Sequence, residues 1–270
     1  MTRLINEWVY DVSQNISNYE KEFIKLTGMS FIDLMGQING MNRQQILACA
    51  SEESIAIIPF ESGLGIIEGF SKALNSVLNQ SGFRAFITKE RDVAGIHEAI
   101  TQNASILFMA DDNRYISWHL KRNKISENDH ATARGYIAIL EKLSNGTLAN
   151  KSVLVLGCGR LGEEAVKILL KKKAKPCVYD KIQRKAEGFI AKYGIEAITK
   201  MDTIKRFQLV FDATSEGGWL ALNQLNEKVV FSSPGVPLSI KPDKKASMEQ
   251  IIIHDCLQIG TIAMLAELIQ

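Results

Sequence analysis

Apolar and polar positions along the chain follow two different rhythms. Over residues 2–48 they recur at helical spacing, with Leu4, Trp8, Val12, Ile16 and Tyr19 on one face and Phe23, Ile24 and Leu26 after them. Gly28 is placed to end that helix, and another begins near Ser30. From Ile55 the rhythm changes: residues 55–60, 85–88 and 105–109 read as short buried strands, separated by helices over 66–78 and 92–100. This βαβαβ alternation predicts parallel strands. A helix is expected to begin near Arg114 with Asp112 as its cap. Residues 121–130 (KRNKISENDH) read as an exposed loop with His130 solvated in it, and His97 and His119 stand in undistinguished contexts. A helix over 131–143 then leads into a turn at 144–147.

The next stretch, Lys151 to Asp180, organises the second half of the chain. Val153 to Leu156 are continuously apolar, as a strand buried on both faces should be. Gly157-Cys158-Gly159-Arg160-Leu161-Gly162 follows, with helical spacing of apolar residues after it and a second strand ending in Asp180. Gly157 suits a tight turn, Gly159 lets backbone approach a pyrophosphate, and Gly162 lets the helix pack close to the strand. Free N–H groups at the helix start form an anion site. Asp180 is placed to accept hydrogen bonds from ribose hydroxyls, which favours NAD over a 2′-phosphorylated cofactor. Further strands are predicted at 195–198, 209–214, 229–233 and 251–255, with a closing apolar helix over 262–269. Ala213, Thr214 and Pro234 stand at strand ends that should pass near the cofactor. The fold class expected is α/β with two domains. Residues 1–145 would join N-terminal helices to a small parallel βαβ sheet as a substrate domain, and 146–270 would form an NAD-binding Rossmann domain.

Composition narrows the function without naming it. The 270 residues carry a net charge of +2 and 46% apolar residues, enough for two cores and giving no warrant for nucleic-acid or membrane binding. Cys49, Cys158, Cys177 and Cys256 are scattered without metal-type spacing, so reduced thiols, no metal and a cytoplasmic setting are expected. The charged N-terminus lacks the apolar core of a secretory leader. The assembly is left open, with a homodimer as one option.

Two strand ends of the first half are chemically loaded. One runs into Glu61-Ser62-Gly63 and the other into Ala110-Asp111-Asp112-Asn113. Ligands of open α/β sheets sit beyond the carboxyl ends of strands, and adjacent carboxylates there do little for folding. Asp111 and Asp112 are therefore candidates for substrate contact.

The segments ESGLGIIEGFSKALN (61–75), ILFMADDN (106–113), SSPGVP (232–237) and IGTIAML (259–265), in their order and spacing, resemble the PylD family, which acts last in pyrrolysine biosynthesis. The resemblance runs from about residue 55 to the C-terminus. It implies NAD-dependent oxidation of lysine carrying a 3-methyl-D-ornithyl group on its side-chain nitrogen. Hydride would leave the terminal amine carbon of the ornithyl part, ammonia would be lost, and the ornithyl α-amine would close the pyrroline ring. Asp111 and Ser62 would be the catalytic pair, with Glu61, Asp112, Asn113 and Asp255 binding substrate. The family pattern calls for a glutamate ahead of IGTIAML, where this chain has Asp255. Two other readings of the residues stay open: another two-domain NAD dehydrogenase acting on an amino or hydroxy acid, and a non-catalytic nucleotide-sensing module.

Overall fold

The computed structural model describes residues 4, 6–63, 65–67, 69–242 and 249–270. It contains two compact units. The first comprises residues 1–135 and 257–270, the second residues 136–256. The boundary therefore falls ten residues earlier than the expected 145/146, and the last helix belongs to the first unit rather than to the Rossmann unit.

Along the chain, the first unit contains helices α1 (Asn6–Val9), α2 (Val12–Thr27), α3 (Phe31–Asn39) and α4 (Arg43–Glu52). Ser30 and Asp33 form a capping box that starts α3, and Asn42 and Gln45 form another that starts α4. Then come β1 (Ser54–Ile58), α5 (Phe70–Gln80), β2 (Arg84–Ile87), α6 (Asp92–Thr101), β3 (Ile106–Ala110), β4 (Tyr115–His119) and β5 (Lys124–Glu127), with α7 (Asn128–Leu143) crossing the unit boundary. The sheet order is β2-β1-β3-β4-β5. β1 pairs in parallel with β2 and β3, as expected, and β4 and β5 extend the sheet as an antiparallel hairpin.

Four expectations are corrected here. Helix α5 starts at Phe70, not Ile66, because Gly65 and Gly69 hold φ of 82° and 85°, outside the helical region. No helix begins at Arg114: the Asp111 carboxylate accepts hydrogen bonds from the N–H groups of Asn113 and Arg114, both at 2.7 Å, and turns the chain back into β4. β4 alternates buried and half-buried, but its buried positions after Tyr115 are Ser117 and His119, so the period of two is invisible to hydrophobicity. His119 is fully enclosed with Nε2 3.1 Å from Glu53 Oε1, and His130 lies in α7, not in a loop, 3.7 Å from Glu267.

Helix α10 (Gln258–Leu268) closes the first unit, and every residue of it is buried. A helix apolar on all sides is an interior helix. It packs against α3, α5, β4 and β5. Polar pegs fix its position: Thr261 Oγ1 is 3.2 Å from the Tyr115 hydroxyl, and Glu267 accepts from Ser126 at 2.6 Å and from Arg134 at 3.2 Å. Gly135 leaves room for this packing, since a Cβ there would sit 3.0 Å from Ala263 and Ile259 side chains.

The second unit is a six-stranded sheet of β6 (Ser152–Leu156), β7 (Lys175–Tyr179), β8 (Glu196–Ala197), β9 (Leu209–Asp212), β10 (Val230–Ser233) and β11 (Ile251–His254). Its order is β11-β10-β9-β6-β7-β8, all parallel, with α8 (Arg160–Lys171) and α9 (Gln183–Tyr193) as crossovers around β7. Val153, Leu154, Val155 and Leu156 are all inaccessible, as their unbroken apolar run predicts. Among the described residues, no helix is long and apolar enough to cross a membrane.

Replacing Leu265 by alanine removes a fully buried side chain and is expected to cost about 2–5 kcal/mol. Ile125→Ala, at a position 56% exposed, should stay within about 0.5 kcal/mol of the parent. Urea unfolding followed by circular dichroism compares the two; equal midpoints would contradict the interior placement of α10.

Candidate functional site

In the second unit, the chain leaves β6 through the glycine turn. Gly157 has φ of 93°, its N–H donates to the Tyr179 carbonyl at 2.8 Å, and a Cβ on it would press on the Ala213 carbonyl oxygen at 3.0 Å. A Cβ on Gly162 would overlap the Gly157 carbonyl oxygen, so the first turn of α8 rests directly on the turn before it. Gly159 is the N-cap of α8; no side chain caps the helix, and the space above Gly159 is open. Arg160 and Leu161 are the first helical residues. Asp180, just past β7, accepts from Cys158 N–H through Oδ2 and from Ile182 N–H through Oδ1, each at 2.8 Å. Cys158 is buried, and burial together with the Asp180 carboxylate pushes its thiol up to about 12, so it stays a neutral wall of the turn. An uncapped helix start, bare backbone at Gly159 and a carboxylate at the neighbouring strand tip suit a dinucleotide: its pyrophosphate would lie on the N–H groups and a ribose against Asp180.

Across the same sheet edge, Ala213 N–H donates to the Leu156 carbonyl at 2.8 Å, and Thr214 donates through both N–H (3.0 Å) and Oγ1 (2.7 Å) to Asp212 Oδ1. Pro234 is buried between Ser233 and Gly235. Sequence reasoning singled out Ala213, Thr214 and Pro234 but missed Asp212, the group that ties them. Its second oxygen accepts from Ser233 and Ser239 at 2.8 and 2.7 Å. Burial raises its pKa, opposed by hydrogen bonds from Thr214, Ser239 and Ser233. The available signal was an aspartate closing an apolar strand beside a neighbour that closes in serine.

Asp255 follows β11 in this unit and is 8% exposed. Its N–H donates to the Tyr136 hydroxyl at 3.1 Å, and its carbonyl accepts from the same hydroxyl at 3.2 Å. Burial first, and the Asp255 charge second, raise the Tyr136 pKa well above the usual phenol value, so this hydroxyl keeps its proton. His254 Nδ1 lies 2.9 Å from the Ser233 carbonyl, which can only accept, so that nitrogen carries hydrogen.

In the first unit, parallel pairing sets Ile58 beside Met109 and Ile57 beside Ile87. The segments after β1, β2 and β3 therefore leave one edge together. Gly63, with φ of 76°, lies against Asp112 so tightly that a Cβ would overlap its carboxylate. The structure thus joins Glu61-Ser62-Gly63 to Asp111-Asp112-Asn113, as proximity of the strand ends demands. Ser62 and Asn113 are exposed there. Glu61 is paired with Arg91, and its N–H donates to Asp92 at 3.0 Å. Both side chains of the pair are about half exposed, at 51% and 55%, so the pair contributes little to stability. Asp111 has one oxygen in the hairpin turn; among the described residues nothing else hydrogen-bonds to its side chain, which leaves the other oxygen for a ligand. Leu64 and Glu68, within the same segment, lie outside the described residues.

Comparison with known proteins decides the family. The description "Pyrrolysine biosynthesis protein PylD, N-terminal domain" matches residues 9–126. The chain is 28% identical over 265 residues to pyrrolysine synthase of Methanosarcina barkeri, covering 98% of this chain and 97% of that one. It is 31% identical over 213 residues to pyrrolysine synthase of Methanosarcina acetivorans, covering 79% of this chain and 81% of that one. The chain belongs to the PylD family. Among solved structures, this PylD-family chain resembles shikimate 5-dehydrogenase of Thermus thermophilus, determined with NADP(H) and shikimate, at a TM-score of 0.50 and 13% identity over 79% of this chain and 91% of that one. That likeness is one of fold: a two-domain α/β architecture with a Rossmann sheet. The family match begins at residue 9, so it takes in the N-terminal helices, where the sequence motifs were faint.

Gly162→Ala is expected to cost about 1–3 kcal/mol, because the added methyl must displace the backbone of the glycine turn. Gly188→Ala, where a Cβ meets nothing, should instead stabilise α9 by about 0.5–1 kcal/mol. Thermal unfolding of the two variants would show shifts of opposite sign; a neutral Gly162→Ala would contradict the close approach.

Proposed function

We propose that this PylD-family protein oxidises the terminal amine of lysine-linked 3-methyl-D-ornithine with NAD and releases a product that closes to the pyrroline ring of pyrrolysine. The observation that carries the reading is similarity to pyrrolysine synthases over nearly the whole chain, and the glycine turn with Asp180 supports a nucleotide in the second unit. Bound there, NAD supplies the hydride acceptor.

The protein's own residues do the rest. Asp180 accepts from ribose hydroxyls and disfavours a 2′-phosphate by charge repulsion. The carboxylates of Asp111 and Asp112 on the edge of the first unit, and of Asp255, suit a substrate with several ammonium groups. Glu61 contributes less than the sequence implied, because Arg91 already neutralises it. Asp111 is held by two backbone N–H groups with one oxygen left over. That oxygen takes the proton of the reacting ammonium, directly or through a water shared with Ser62. The free amine carbon then gives up hydride and becomes an iminium. Water adds, ammonia leaves and an aldehyde remains. The ornithyl α-amine attacks that aldehyde and loses water. This last step is intramolecular, so a bent substrate has already lost much of its entropic barrier.

Mixing protein, NAD and lysine-linked methylornithine should raise NADH absorbance, while simple amino acids should not. Asp111→Asn keeps an acceptor for the turn, so it should fold normally yet lose about 10²–10⁴-fold in kcat and show a pH–rate profile of changed shape. A profile of unchanged shape would exclude Asp111 as base. In a separate experiment, Asp180→Ala should shift the ratio of NAD to NADP affinity towards NADP by about tenfold, or about 1.4 kcal/mol. A ratio that stays put in direct binding measurements would remove Asp180 from cofactor selection.

A further inference from the structure

The Rossmann sheet of the second unit reverses direction at β6: the chain builds outward to β7 and β8 on one side, then to β9, β10 and β11 on the other. A dinucleotide lies across the carboxyl ends of the strands at such a reversal. With Asp180 at the tip of β7 taking the adenosine ribose, the other half of a bound dinucleotide would extend over the tips of β9 and β10. Those tips are Ala213-Thr214 and Ser233-Pro234-Gly235.

One side chain joins them. Asp212 has no exposed surface. It accepts two hydrogen bonds from Thr214, one from Ser233 and one from Ser239, and its carbonyl accepts from Gly235 N–H at 3.0 Å. Gly235 lies so close to Thr214 that a Cβ would overlap the Thr214 carbonyl oxygen. The two segments are therefore in backbone contact and share one buried acceptor. Ending a strand does not require an enclosed carboxylate: β1 and β6 end in Ile58 and Leu156. Burying one is costly unless it is fully hydrogen-bonded.

We propose that Asp212 is the positioning residue for the nicotinamide half of the cofactor site, fixing the backbone of Ala213-Thr214 and Ser233-Pro234-Gly235 without touching the reacting atoms. The inference rests on the nucleotide reading given above. Titration calorimetry of the whole protein with NAD and with ADP-ribose tests both. ADP-ribose keeps the adenosine and pyrophosphate but lacks nicotinamide. Asp212→Ala removes the shared acceptor. Asp212→Asn keeps its shape, and the serine hydroxyls can turn to accept from the amide. The Kd for NAD should rise about tenfold or more in Asp212→Ala and about threefold in Asp212→Asn, with ADP-ribose held within about twofold, as loss of hydrogen bonds from a buried acceptor implies. If Asp212→Ala does not fold, Asp212→Asn and Ser239→Ala carry the comparison with the same expected direction. Unchanged NAD affinity in the folded variants overturns the proposal, and so does an equal fall for both ligands, which marks general loosening. Wild-type protein that binds neither ligand overturns the nucleotide reading, and this inference with it.

Discussion

Parallel pairing in register is the constraint on which the rest of the structure depends. When neighbouring strands run the same way and pair residue for residue, their last residues line up along one edge. In the second unit this sets Leu156 beside both Asp212 and Tyr179, and Ser232 beside Phe211. The segments that follow these strands must then emerge together, and they meet at van der Waals range: Gly157 against Ala213, Gly235 against Thr214. The first unit repeats the arrangement with different residues, so that Gly63 meets Asp112. Glycine at 157 and 235 follows from the pairing, because the backbones arrive too close for a side chain, whereas at Gly63 it is the Asp112 carboxylate that takes the space.

A sheet edge crowded in this way leaves carbonyl and N–H groups that need partners. The two units meet that need differently. In the first, Asp111 acts locally and closes the β3–β4 turn, while Asp92 accepts from Glu61 N–H across 31 residues of chain. In the second, Asp180 and Asp212 reach across to other segments. Asp180 remains half-buried, whereas Asp212 is wholly enclosed. An enclosed acid with four donors gives the strand tips rigidity that a solvated acid does not, since each donor it loses leaves a desolvated oxygen behind.

This difference explains what could be read from sequence. The glycine turn and Asp180 were legible because their spacing is local and each residue has one physical task. The pairing of Glu61-Ser62 with Asp111-Asp112 was legible because parallel topology follows from alternating strands and helices. Asp212 was not, since its partners Ser233 and Ser239 lie 21 and 27 residues further on, and an aspartate after an apolar run looks like the end of a strand. The β4–β5 hairpin was hidden by its buried polar residues, and His119 finds its partner Glu53 66 residues earlier. Helix α10 was legible as a helix, but not the unit it closes, because a helix buried on every side says that it is buried and not what buries it.

Under the proposed reaction, the first unit's acidic edge would face a chemical conflict. An alkyl ammonium has a pKa of about 10.4 and must lose a proton before its carbon can release hydride, which costs roughly 4.6 kcal/mol at neutral pH. Carboxylates that attract the ammonium deepen that cost by favouring the charged form. The arrangement of groups eases the conflict. Arg91 takes up the Glu61 charge, and the turn N–H groups engage one Asp111 oxygen, so the edge is less negative than a count of acids implies. What remains on Asp111 is one oriented carboxylate oxygen. Such a site binds a cation less strongly than a fully acidic one, but it has less to undo when the proton leaves. If the proposed reaction holds, weak ground-state binding beside a fixed proton acceptor would favour turnover over retention of the amine.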